Sequence, residues 1–306
     1  MTSRLVGAGT APVLRVLSLG AGVQSSAVLL LACEGAIPAF DYALFADTGW
    51  EPQKVYDNLA RLRTHAARSG IPVRTVSAGN IRRDALDPDH RFVSMPLHVL
   101  NADGSRGLAR RQCTHEYKIA PLKKAVRGLL GYPHPRRVPR GTYAEQAIGI
   151  STDEFARAKD SGVNYIRNVF PLIDLGWDRE RCVEYLAARG FAATVKSACL
   201  GCPFHGNAGW RWIRDHDPAG WADAVAFDKA IRRGHPHATK KDQPLRGQYF
   251  LHRSCVPLDQ ADLEPPPRGR HLRVLSMMRN EDDDPDGCTP WGCRSGEAID
   301  SSGTAA

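Results

Sequence analysis

Two periodicities alternate along the first half of the chain. Val13–Leu19 (VLRVLSL) is a short apolar run interrupted by Arg15, and it predicts a strand. The run closes in Ser18-Leu19-Gly20-Ala21-Gly22-Val23-Gln24-Ser25-Ser26, and AVLLLA then continues with helical character. Asp41–Ala46 (DYALFA) predicts a second strand, and Pro72–Ser77 (PVRTVS) a third. Between them, Glu51–Arg68 places Val55, Leu59 and Leu62 on one face of a helix. Strand and helix signals in this order predict an α/β fold, a doubly wound and mostly parallel Rossmann-like sheet whose ligands bind at the carboxyl ends of the strands.

The rest of the chain is less regular. Residues 80–110 carry turn signals at Asp87-Pro88-Asp89 and Asn101-Ala102-Asp103-Gly104, which predict a covering loop or hairpin. Arg179–Arg189 reads as an amphipathic helix ending at Gly190. From Gly206 the pattern turns helical, with Trp210, Trp212, Ile213 and Trp221 on an aromatic face that favours a core. Residues 264–270 form a proline-rich linker and 281–286 an acidic run. The expected organisation is an α/β domain over 13–205, a helical subdomain over 206–263, and a linker with a mobile tail over 264–306.

Gly20–Ser26 is the first candidate for chemistry. A strand, a small-residue turn and a helix put backbone N–H groups and a helix N-terminus in one place, which attracts phosphate. The dinucleotide fingerprint Gly-x-Gly-x-x-Gly is incomplete, because Ser25 holds its third glycine position. A Walker loop would need a lysine that is absent. Asp47-Thr48-Gly49-Trp50-Glu51 ends the second strand, where Asp47 and Thr48 either cap the next helix or face a ligand.

Composition narrows the class. The 306 residues suit one large or two small domains, and 42% hydrophobic with 24% charged residues is ordinary for a globular chain. Arg15 and two glycines break the first apolar run, so it reads as neither signal peptide nor membrane span, and a cytoplasmic protein is expected. Eight cysteines without an export signal point to metal or redox chemistry instead of a disulfide framework. The net charge of +8 fits an anionic partner, a nucleotide or nucleic acid. The basic segments Arg232–Lys241 and Arg136-Arg137-Val138-Pro139-Arg140 read as solvated surface or as nucleic-acid contacts.

Three cysteine-bearing stretches carry the remaining signal. Arg110–Leu122 contains an Arg-x-Cys-Thr…Lys-Ile-x-Pro-Leu pattern, with Arg111, Cys113 and Lys118 as its reactive members. Lys196–His205 contains Cys199-Leu200-Gly201-Cys202-Pro203, a chelating turn open to zinc, iron–sulfur or redox readings. The tail carries Cys288-Thr289-Pro290-Trp291-Gly292-Cys293. Cys33 and Cys182 lie at helical positions and read as core fillers.

Taken together, Gly20–Ser26, the Arg111–Leu122 pattern, Gly149-Ile150-Ser151-Thr152-Asp153-Glu154 with Arg157, and the Cys199–Cys202 pair follow one family order. They resemble the phosphoadenosine-phosphosulfate (PAPS) reductase family of the pyrophosphate-loop, adenine nucleotide alpha-hydrolase-like superfamily. The likeness is to its DndC-like, iron–sulfur-containing branch, over residues 13 to about 205. Three departures stand out: Ala21 replaces a glycine, which is tolerable if that residue keeps φ below zero; Gln24 replaces an aspartate that would hold magnesium; and the family's Glu-Cys-Gly-x-His motif is absent.

The resemblance implies specific roles. Ser18, Gly20, Ala21, Gly22, Gln24, Ser25 and Ser26, with Asp47, Thr48, Gly149 and Glu154, would bind ATP or a sulfonucleotide with Mg2+. Arg111 and Lys118 would neutralise anionic oxygens. Cys113, Cys199 and Cys202 would hold a [4Fe–4S] cluster, with zinc as the alternative and Cys255 or Cys288 as a fourth ligand. Cys288 and Cys293 are candidate thiol or persulfide carriers. The implied activity is ATP-dependent sulfur transfer with pyrophosphate release, against reduction of a sulfonucleotide or a zinc-stabilised nucleic-acid-binding module. Expected partners are a sulfur donor such as a cysteine desulfurase, a tRNA, DNA or small-molecule acceptor, and a second copy of the chain; no membrane is expected.

Overall fold

Along the chain run β1 (Leu14–Leu19), α1 (Val23–Cys33), β2 (Tyr42–Asp47), α2 (Gln53–Arg68), β3 (Val73–Ser77), α3 (Ile81–Leu86), β4 (His98–Leu100) and β5 (Arg106–Leu108). There follow α4 (Ala120–Leu129), β6 (Ala144–Ile148), β7 (Ile166–Val169), α5 (Pro171–Asp174), α6 (Arg179–Ala187), α7 (Asn207–His216), α8 (Pro218–Ala230) and β8 (Gln248–Phe250). The computed structural model describes residues 11–91, 95–235 and 247–264. Cys288, Cys293, the acidic run and the expected linker from 265 onward therefore lie outside the described residues, as does 236–241 of the basic run.

By contacts the described residues form two units. The first takes its residues from 1–46, 60–76 and 120–193, and the second from 47–59, 77–119 and 194–306. In the first, a five-stranded sheet is ordered β3-β2-β1-β6-β7. The pairings β1–β2, β1–β6 and β6–β7 are parallel, with Leu19 opposite Phe45 and Ser18 opposite Ile148. This is the expected α/β doubly wound architecture. Leu14 and Val16 point from β1 to Leu122 and Val126 of α4, while α1 packs beside α5 and α6. Helix α1 is buried on every side from Val23 to Ala32, which accounts for its continuous apolar sequence. Cys182 is fully buried and its thiol is pushed up to about 12 by that burial, the behaviour of an inert core cysteine.

In the second unit, β5-β4-β8 form a small antiparallel sheet, in which His98 faces Leu108 on one side and Phe250 on the other. The irregular stretch 80–110 resolves into α3 and the β4–β5 hairpin, whose Asn101–Gly104 turn was marked by its residues. Trp50, Trp210, Phe227, Tyr117 and Leu251 build the core, with Trp50 and Phe227 ring centroids 4.7 Å apart. Trp212 and Trp221 flank that core partly buried. Asp228 is fully buried in α8 and accepts the Leu251 and Leu258 N–H groups at 2.8 and 3.1 Å, tying the β8 segment to the helix. Among the described residues no helix is long and apolar enough to cross a membrane.

Candidate functional site

The first unit brings two strand-end loops together as a candidate site. The strand order leaves β1 toward β2 on one side and passes from β6 to β7 on the other, so the topological switch point lies between β1 and β6. The segments after these two strands are Gly20–Ser26 and Gly149–Glu154, and they touch. A Cβ on Gly149 would lie 2.6 Å from the Ser25 nitrogen and 2.9 Å from the Gln24 carbonyl carbon. Gly149 is thus a packing glycine, whose lack of a side chain lets the β6 end meet the first turn of α1.

The loop is held by its own atoms. Ser25 Oγ accepts the Gly20 N–H at 3.1 Å and donates to the Gly22 carbonyl at 3.3 Å, so this hydroxyl staples the turn. Gly22 occupies the N-cap of α1 and brings no side-chain cap to the first-turn N–H groups. Those groups and the positive end of the helix dipole are what an anion recognises. Ser26 is fully buried, and the buried Oγ of Ser18 has no hydrogen-bond partner among the described residues. Ala21 does not meet the condition of a negative φ. Its φ is +55, so the alanine holds the left-handed conformation that a glycine would adopt freely.

Gln24 organises the rim. Its Nε2 donates to Glu154 Oε2 at 3.0 Å and to Ser151 Oγ at 3.4 Å, and its Oε1 accepts from Arg179 Nη1 at 3.0 Å. Glu154 also pairs with Arg157. The amide therefore bridges a carboxylate and a guanidinium, a job an aspartate could not do. Thr152 does not cap the following 3-10 segment Thr152–Arg157; Ser151 holds that position and its hydroxyl faces Gln24. The sequence assigns no site role to Arg179 or Ser151, although Asp178, which caps α6, fixes where Arg179 begins the helix.

The second unit holds a different kind of site. Neither Asp47 nor Thr48 caps α2, which starts at Gln53; both instead build the turn before it. Asp47 Oδ1 accepts the Gly49 N–H at 2.8 Å and the Tyr56 hydroxyl at 2.9 Å. Burial first, with the Asp47 carboxylate adding to it, pushes the Tyr56 phenol well above its ordinary range, so it stays a donor. Thr48 Oγ1 donates to Glu51 Oε1 at 3.2 Å and accepts from the Cys199 thiol at 3.3 Å. The same thiol lies 3.6 Å from Glu51 Oε1, and Lys118 Nζ pairs with that oxygen at 3.2 Å. Both charged side chains are buried, Glu51 at 1% and Lys118 at 6% exposure, and Glu51 Oε2 has no hydrogen-bond partner among the described residues.

Local structure explains the positions. Lys118 lies in a π-helical turn, His115–Ile119, just before α4. Such turns widen the helix by one residue and recur at functional sites. Arg111 stacks over the Phe204 ring at 4.7 Å. The Cys199–Cys202 turn is closed by the Cys202 N–H on the Cys199 carbonyl at 3.0 Å and pinned by the Leu200 N–H on the Trp50 carbonyl at 2.7 Å. A Cβ on Gly201 would sit 2.0 Å from the Trp50 indole, so only glycine fits between the cysteines there. Cys113 packs against the hydrophobic cluster that contains Leu200, and Cys255 is buried with φ +54. The four candidate ligands among the described residues, Cys113, Cys199, Cys202 and Cys255, thus belong to one unit, and their soft thiols suit zinc or an iron–sulfur centre. Among the described residues no three His, Cys, Asp or Glu side chains are gathered as a ready ligand group. In this arrangement the Cys199 thiol donates to its polar neighbours; as a ligand it would give up that proton, with the Glu51 carboxylate already beside it.

No family model matches the chain, and comparison with curated proteins gives no match.

Proposed function

We propose that the protein is a PAPS reductase-like pyrophosphate-loop enzyme of sulfur metabolism, an ATP-dependent sulfurtransferase that adenylates its acceptor. The observation that carries the reading is the meeting of Gly20–Ser26 with Gly149–Glu154 at the carboxyl edge of a parallel sheet, at its switch point. Backbone N–H groups at the start of α1 would hold the phosphates, with Ser18 and Ser26 as hydroxyl donors. An acceptor oxygen attacks the α-phosphorus, the bond to the β-phosphate oxygen breaks, and pyrophosphate leaves. Sulfur at the sulfide level then attacks the activated carbon, and AMP departs with the oxygen. Adenylation turns a poor leaving group into a good one. Arg157 and Arg179 stand around Glu154 and Gln24, which orients them at the rim of the phosphate loop.

Cys113, Cys199 and Cys202 would hold a [4Fe–4S] cluster, which supplies an iron site for the sulfur nucleophile. Thr48 and Glu51 accept from the Cys199 thiol, and Lys118 pairs with the same Glu51 oxygen. Mg2+ with ATP, a cysteine desulfurase as sulfur donor, a cytoplasmic setting and a homo-oligomeric state belong to the same reading.

Product analysis tests it. Incubation with ATP, a sulfide donor and candidate acceptors is expected to yield AMP and pyrophosphate. Release of sulfite from a sulfonucleotide would replace this reading with the reductase, and nucleic-acid binding without turnover of either nucleotide would replace it with the binding module. Anaerobic purification with iron, sulfide and zinc analysis tests the cluster: about four irons and four sulfides, lost in Cys199→Ser, is the expected result. One zinc and no sulfide would remove the cluster and leave a structural metal.

A further inference from the structure

At the other edge of the same sheet, where β6 and β7 begin, the first unit has a basic concave feature. A cleft of about 730 Å³ is lined by Arg127, Arg137, Arg140, Thr142, Asn164 and Tyr165, among other residues. Residues 120–144 contain six Lys or Arg and no Asp or Glu, so the positive field here is not neutralised within its own segment. The first carboxylate beyond it, Glu145, pairs with Arg15 at 3.1 Å. Arg136, Arg137 and Arg140 are exposed, and none of the ion pairs among the described residues involves them.

The cleft is also built. Arg127 donates from Nε to the Tyr132 carbonyl at 2.8 Å and from Nη2 to the Arg136 carbonyl, fixing the loop that carries the other arginines. Turns close that loop at both ends, Arg136 N–H on the Pro133 carbonyl at 3.0 Å and Thr142 N–H on the Pro139 carbonyl at 3.2 Å. Pro133, Pro135 and Pro139 limit its remaining freedom, so little ordering is left for binding. The Arg127 guanidinium lies 6.0 Å from the centre of the Tyr165 ring, which lines the cleft.

We infer that this cleft is a binding surface for single-stranded nucleic acid. Planar guanidiniums on an exposed rim match phosphate oxygens in pairs. Between them, Thr142 and Asn164 offer hydrogen-bonding groups that suit a base or ribose, and Tyr165 an aromatic side chain that suits a base. The inference rests on the cleft and not on the proposed reaction.

The test is fluorescence anisotropy of the full chain with labelled single-stranded DNA and RNA, at several salt concentrations, against Arg137→Ala/Arg140→Ala. Duplex of the same sequence, AMP, inorganic phosphate and anionic lipid vesicles serve as competitors. Binding to a single strand is expected, weakened at least tenfold in the double variant. The slope of log affinity on log salt is expected to fall by about 1.4, two contacts at about 0.7 each. Both proteins should unfold at the same temperature and bind ATP with the same affinity when no nucleic acid is present. Equal affinity and slope in the variant would overturn the inference. So would full competition by AMP or phosphate, which would make the cleft a small-anion site, or a preference for vesicles or duplex. A lack of ATP binding by both proteins, with nucleic-acid binding intact, would count against the proposed reaction alone.

Discussion

The two candidate sites are built from opposite materials. In the first unit the Gly20–Ser26 loop is shaped by backbone: a left-handed Ala21, an uncapped helix start at Gly22, and a Gly149 whose missing Cβ admits the β6 end. In the second, Thr48, Glu51, Lys118 and Cys199 are shaped by buried polar and charged side chains that answer one another. A backbone site fails by steric intrusion; a charge site fails by losing a partner. Under the proposed function, in line with this contrast, the first holds a fixed anion and the second handles protons and soft ligands.

The largest effect is expected where one charge of a buried pair is removed. Lys118→Met leaves the Glu51 carboxylate, 1% exposed, without its cation and should cost about 3–5 kcal/mol in urea denaturation. Glu51→Gln in the same chain should return a large part of that loss; a single variant as stable as the wild type would break the comparison. Steric intrusion comes next. Gly149→Ala, with backbone 2.6 Å away, and Gly201→Ala, with the Trp50 ring 2.0 Å away, should each cost about 1–3 kcal/mol. Only the first should reduce ATP affinity measured by calorimetry, and equal effects on ATP would blur the two sites.

Acid should then single out the second unit. His252 is buried against Ser254 and Asn207, and burial, then Arg253 and His98, pulls it down to about 4. Between its ordinary value near 6.5 and about 4, the unfolded chain binds the proton and the folded chain does not. Stability is therefore full above that window and falls on acidification through it, by on the order of 2 kcal/mol. Hydrogen exchange at stepped pH should open β8 earlier than β1; simultaneous opening, or no loss above pH 4, would contradict this. The smallest change is a gain. Ala21→Gly releases a left-handed alanine at φ +55 and should stabilise by up to about 1 kcal/mol. A loss of stability there would mean that the methyl's packing outweighs the strain.

The same contrast explains what the sequence reveals. The strands, α1 and the alternation behind the doubly wound sheet are legible because an apolar period reports burial directly. Gly20–Ser26 is legible as a candidate site because a small-residue turn between a strand and a helix brings backbone N–H groups to a helix N-terminus. Gly149 is visible but its role is not: a ligand-facing glycine and a packing glycine are the same letter, and only the position of Ser25 separates them. Glu51 and Trp50 stand beside Asp47 and Thr48 in the chain, yet nothing local marks a carboxylate that will be buried against Lys118, 67 residues on (118 − 51), or an indole that will seat Gly201. Ala21 shows the limit from the other side, since a residue's preference for negative φ yields when its neighbours fix the turn.

The central claim, that phosphates sit on the uncapped start of α1, is tested most directly by ATP titration calorimetry on the wild type and Gly22→Asp. Aspartate suits an N-cap at φ −92 and would supply its own carboxylate to the first-turn N–H groups. The chain should stay as stable as the wild type while ATP and pyrophosphate binding fall by at least tenfold. Undiminished ATP binding in the folded variant, or no ATP binding by the wild type, would contradict the account.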